Sequence, residues 1–251
     1  MGKTIFLLIK IFKEEDECFA DSFLENGEMY CQTLSAFKAM EDGNIRGDKH
    51  EGITHWLQPK GAFVTLSAEI DGSPFTHTIP SSDLAAPIVI NTTVYDHRNI
   101  FCMYAISING FEKNYDSEEE RKAAIAEINR EIREQIKIDA ETSKLGSHAI
   151  VIYKVTEFIS KIEEHAKVSK IQLDHHLINY FNEDSHNGVF NGIEAIFHKT
   201  QAYDSQKEYR FAFDINRDGH SKIVKIGSIQ DMAIKTKLQD LEGQLSISLQ
   251  E

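Results

Sequence analysis

Phe101-Cys102-Met103-Tyr104-Ala105-Ile106-Ser107-Ile108 is an uncharged, mostly apolar run in which neighbouring positions on both faces are hydrophobic. A strand of this kind has no polar face to offer water, so it belongs at the centre of a sheet covered on both sides. The segment that follows supplies a cover. Ser117-Glu118-Glu119-Glu120 is a capping-box pattern with acids on the positive helix end, and Ile125, Ile128, Ile132 and Ile136 then recur at three- and four-residue steps. This predicts a long amphipathic helix over about 117–141 that packs on the sheet.

Reading outward from that pair, strand and helix signals alternate without a fixed repeat. Upstream lie an apolar run at 5–12, a helical pattern at 14–25 carrying Phe19, Phe23 and Leu24, and a C-cap signal at Asn26-Gly27. A short strand is expected at 28–34, with Ser35 as the N-cap of a helical turn bearing Phe37 and Met40. Residues 41–52 read as a polar loop. Residues 61–79 read as a hairpin on an Asp71-Gly72 turn, with another strand at 88–90. Downstream, 149–155 reads as a strand, 156–167 as a helix using Phe158, Ile159 and Ile162, and 171–181 as a strand. Residues 208–215, 222–226 and 245–249 read as further strands. Strands come first, helices cluster in the middle and strands return at the end. The expectation is an α+β fold with a mixed, largely antiparallel sheet, formed by residues 1–251 as a single domain.

Composition narrows the functional classes. The chain has 251 residues, 41% of them hydrophobic, and its 27 basic and 40 acidic side chains give a net charge of −13. Long-range repulsion at that charge disfavours generic binding to a nucleic-acid backbone, though not a local basic site for a small anion or docking on a basic protein partner. No apolar run reaches the roughly 20 residues that span a bilayer. The opening run passes straight into Lys13-Glu14-Glu15-Asp16 and reads as a first strand. Three scattered cysteines do not make a disulfide framework, and a cytoplasmic location is expected. Spacings for a P-loop, a dinucleotide-binding glycine turn, a nucleophile elbow or a histidine metal site are lacking, so no metal and no tightly bound cofactor are expected.

Chemistry concentrates late in the chain, in the stretch from Lys199 through Gln206-Lys207-Glu208-Tyr209-Arg210. Period-2 geometry puts Gln206 and Glu208 on one side of a strand entrance and continues that face through Arg210 and Ala212. Tyr209, Phe211 and Phe213 fall on the other face. The early Arg46-Gly47-Asp48-Lys49-His50-Glu51 loop is the second dense segment. Arg46 suits a phosphate or carboxylate, and Asp48 and Glu51 suit a ribose or a hard cation; the other reading is a solvated charged turn.

The Gln206-x-Glu208 turn resembles that of ADP-ribosyltransferases. The resemblance implies that Glu208 steadies the nicotinamide ribose as it gains positive charge and that Gln206 presents the acceptor. In that family an arginine on the first strand holds the phosphates and a Ser-Thr-Ser segment braces the site; here Lys10 or Lys13 ends the first strand, and Thr33-Leu34-Ser35 follows the second. A wider stretch is similar to a group of uncharacterised bacterial and phage proteins. It takes in residues 19–30, Leu34-Ser35-Ala36-Phe37, residues 41–52, Gln206–Arg210 and the closing Ile226-Gly227-Ser228-Ile229-Gln230-Asp231. These resemble a broader bacterial family with an early Leu-Asn-Asp-Pro-x-Glu loop and a late Glu-Tyr-Arg strand, whose proline is absent here.

The expected function is therefore nucleotide binding, with NAD-dependent ADP-ribosyl transfer as its catalytic form and NAD or another nucleotide as substrate or ligand. Glu208 and Gln206 are the catalytic candidates. Arg46, Asp48, Glu51, Arg210, Lys199, Thr33, Ser35 and Lys10 are the binding candidates, with Tyr30 or Tyr209 stacking on a ring. The alternative is a non-catalytic acidic binding protein, such as a phage inhibitor of host defence or a sponge for a signalling nucleotide.

Overall fold

The computed structural model describes residues 3–40, 48, 50–60, 62–109, 115–137 and 144–241. Its first half runs β1 (Lys3–Phe12), α1 (Glu17–Asn26), β2 (Glu28–Thr33), α2 (Leu34–Ala39), β3 (Ile53–Leu57), β4 (Val64–Ile70), β5 (Ser73–Ile79), β6 (Ile88–Asn91) and β7 (Asn99–Asn109). Then come α3 (Glu118–Ile136), β8 (His148–Ile152), α4 (Val155–Val168), β9 (Gln172–Leu177), β10 (Asn179–Phe181), β11 (Gly188–Val189) and β12 (His198–Thr200). The last strands are β13 (Glu208–Asp214), β14 (Lys222–Lys225) and β15 (Ala233–Lys237). The fold is α+β and its sheets are mostly antiparallel; among the described residues the β10–β12 pair is the parallel one.

The apolar run at 101–108 takes the central place its composition demands. On one edge β7 pairs with β13 from Tyr104 to Asn99. On its other edge it pairs with β1 from Asn109 to Tyr104 and with β2 at Ile100 and Asn99. The order β14-β2-β7-β1-β8-β15, with β13 and β9 beyond β7, brings strands from both ends of the chain into one sheet. Beyond Ile9, β1 leaves β7 and stays with β8 from Lys10 to Phe12. The sheet therefore splits between β1 and β2.

One face is covered by α1 and α4, whose Ala20, Phe23, Phe158 and Ile162 meet Leu8, Phe101, Met103, Tyr209, Phe211 and Phe213. The other is covered by α3, whose Ile132 and Ile136 pack with Leu7, Ile9, Tyr104 and Ile106. Ser117 caps α3 by accepting the N–H of Glu120. That helix ends at Ile136, short of the expected 141, and residues 138–143 lie outside the described residues. The expected strand at 245–249 also lies outside them.

Two local expectations are corrected. Phe19 is exposed, and Ala20 takes its place in the core. A single 3-10 turn at Glu14–Asp16 precedes α1, and the inward stripe runs through 20 and 23. The cap of α2 is Thr33, whose Oγ1 accepts the N–H of Ala36; Ser35 lies inside the helix. The hairpin β4–β5 forms as expected, with Asp71 and Gly72 both at positive φ (51° and 77°), the conformation a tight two-residue turn demands.

Candidate functional site

The chain reaches β13 through a tight approach. Residues 201–206 form a 3-10 turn, Lys207 adopts a left-handed conformation (φ 39°, ψ 48°), and β13 begins at Glu208. The reversal leaves Gln206 and Glu208 aimed at one group. The Lys199 ammonium donates to Gln206 Oε1 at 2.9 Å and to Glu208 Oε2 at 2.8 Å. Arg210, two residues along the same face, donates from Nε to Glu208 Oε1 at 2.6 Å. Its Nη1 and Nη2 grip Glu51 at 2.7 and 2.8 Å in a bidentate pair, and Nη1 also donates to the Ile196 carbonyl. Lys199 closes the ring at 3.3 Å from Glu51.

Two cations and two carboxylates thus form a closed quartet, all four buried. Burial by itself would push the Glu208 carboxyl up, but Arg210 and Lys199 outweigh it and hold that carboxyl well below the usual range. Burial likewise opposes charge on Lys199, yet Glu208 and Glu51 raise its affinity for its proton. Lys199, Arg210 and Glu208 therefore carry charge throughout the neutral range. Asp48 is also fully buried and accepts the His50 N–H at 2.7 Å, and among the described residues its second oxygen has no partner. Burial, then repulsion by Glu51, pushes its pKa up to about 6.

The quartet borders a cleft of about 260 Å³ in the split of the sheet. One wall carries Lys10 near the end of β1, with Lys13 and Asp16 just beyond the strand; Tyr30, Gln32, Phe37 and Met40 also line the cleft. Lys10 is anchored on the Cys102 carbonyl at 2.9 Å. Tyr30 keeps an exposed ring at the rim and bonds Ser221 through its hydroxyl. Cys102 lines the floor, where burial and then Glu208 push its thiol up to about 12, so it carries no thiolate at neutral pH.

The structure therefore gathers Lys10, Tyr30, Lys199, Gln206, Glu208 and Arg210 around one cleft, with Glu51 locked to Arg210 behind it. Other candidates fall elsewhere. Tyr209 is on the opposite face, buried against Phe211, with its hydroxyl 2.6 Å from His175, so it cannot stack on a ligand in the cleft. Thr33 and Ser35 bond each other at the start of α2 and do not line the cleft. Arg46 lies outside the described residues. The lining role of Gln32 and Cys102 was not evident from sequence, because only the split between β1 and β2 brings them to a surface. Phe37 and Met40 carried a weak signal as the apolar positions of a short polar-flanked turn.

Comparison with protein-family models, curated proteins and solved structures finds no match for this chain. Among the described residues no helix is long and apolar enough to cross a membrane.

Proposed function

We propose that the cleft between β1 and β2 binds a nucleotide and that Glu208 is the carboxylate of an ADP-ribosyltransferase-like reaction. The observation that carries this reading is an ionised Glu208 at the cleft wall, tied with Gln206 to the same Lys199 ammonium. A fixed carboxylate beside a ribose stabilises the positive charge that develops as the glycosidic bond breaks and nicotinamide leaves with the bonding electrons. In this reading Lys10 and Lys13 hold phosphate, and Tyr30 and Phe37 cover a base. The cleft is small and suits one nucleotide unit better than a whole dinucleotide in extended form.

A non-catalytic binding protein is the second reading, and one observation favours it. Both Glu208 oxygens already accept from cations, which leaves less negative charge for a transition state. Calorimetry with NAD, ADP-ribose and cyclic nucleotides, alongside nicotinamide release, separates the two. For a transferase, Glu208→Gln abolishes turnover while binding persists; for a binder, wild type binds without turnover. Lys10→Ala should weaken a phosphate-bearing ligand by about 1.5–3 kcal/mol in either case. Failure of wild type to bind any of these ligands would sink the nucleotide reading, with thermal melts as the folding control.

A further inference from the structure

A second concavity, of about 610 Å³, lies behind the Gln206–Glu208 turn, between the β9–β10 segment and the part of the β7 edge that, among the described residues, lies beyond its pairing with β13. Along that edge β13 supplies hydrogen bonds only as far as Lys207, whose carbonyl accepts the Ala105 N–H at 2.8 Å. There the left-handed Lys207 turns the chain away. The next rung is made by a side chain. Gln135 Oε1 accepts the Ser107 N–H at 3.0 Å, and Gln135 Nε2 donates to the Ser107 carbonyl at 2.7 Å. A carboxamide carries the same donor and acceptor as a peptide group, and here it occupies the place of a neighbouring strand.

We propose that this groove is a docking site for an extended peptide, which continues the line of β13 by taking over the two hydrogen bonds that Gln135 makes to Ser107. An unpaired strand edge is a template for chain addition, with main-chain hydrogen bonds giving affinity and the lining giving selectivity. The lining fits a polypeptide better than a phosphate. Lys3 and Lys207 face Glu131 and Asp204, Glu208 is already paired with Lys199 and Arg210, and Asn179 and Gln201 add groups that can both donate and accept. Glu208 lines both concavities, but the proposed contact is with Ser107 and Gln135, so the proposal does not depend on the nucleotide reading.

The test begins with a random linear-peptide phage library panned on the full chain, followed by calorimetry and amide NMR of the enriched peptide after synthesis. The peptide should move the Ser107 backbone amide and shift the Gln135 side-chain amide to its solvent-exposed position. Gln135→Ala removes the internal competitor and should bind the peptide about five-fold more tightly, a change of roughly 1 kcal/mol. The Gln135 side-chain signal in wild type provides the same reading if the variant does not fold. The proposal is overturned if no peptide is enriched. It is equally overturned if the enriched peptide leaves Ser107 and Gln135 unmoved, or binds the variant no more tightly.

Discussion

Asp48 sits near the quartet, and among the described residues it makes no hydrogen bond or ion pair with either of the quartet's cations and its second oxygen has no partner. Its pKa is pushed up from 3.8 to about 6, so between those values the native chain holds a proton that the unfolded chain has released. Stability therefore falls as pH rises through that window, and the loss is complete above it. Asp48→Asn keeps the oxygen that accepts the His50 N–H and removes the charge. The variant should gain on wild type by on the order of 2 kcal/mol between pH 4 and pH 7.5. Chemical denaturation across that range checks this, and a difference that does not vary with pH would show that Asp48 does not titrate there. The density of charge at 48–51 was readable in the sequence. That Glu51 serves Arg210, 159 positions away, was not, because nothing local distinguishes a carboxylate awaiting a buried guanidinium from one facing water.

At the scale of elements, period and punctuation were the readable signals. The alternation at 208–213 put Tyr209, Phe211 and Phe213 in the core, as found. Arg210 lies on the opposite face as expected, yet it is fully buried, because Glu51 and the Ile196 carbonyl arrive from outside the strand. Gly27 shows punctuation with a tertiary reason. It ends α1 at φ 62°, and a Cβ built there would sit 2.3 Å from the Gly227 carbonyl oxygen. The left-handed conformation alone costs a non-glycine residue about 1–2 kcal/mol, and the clash with backbone adds to it. Gly27→Ala should therefore destabilise the fold by at least about 2 kcal/mol. Urea denaturation would contradict this with a loss below 1 kcal/mol.

At the scale of the whole molecule, the N-terminal strands β1 and β2 are embedded among strands from later in the chain, whereas the β4–β5 hairpin stands exposed on both faces. A cut at the hairpin tip severs residues 3–70 from the rest without touching the split sheet. Limited digestion at Glu69 or Asp71 should give two fragments that co-elute under native conditions and melt within a few degrees of intact protein. Fragments that separate and fold independently would contradict the shared sheet. A chain reading can locate such strands, but their order depends on pairings between distant segments that no local pattern encodes.

The charge quartet also constrains the order of events at the ribosome. Glu51 leaves the exit tunnel long before Lys199 and Arg210 are synthesised, and a lone carboxylate cannot enter an apolar interior without large cost. The segment carrying Glu51 must therefore stay hydrated while most of the chain is made. Docking waits for the emergence of β13, when the guanidinium and both carboxylates can lose water together. A nascent chain stalled before residue 199 should leave the vicinity of Glu51 open to protease, and one stalled well beyond 214 should protect it.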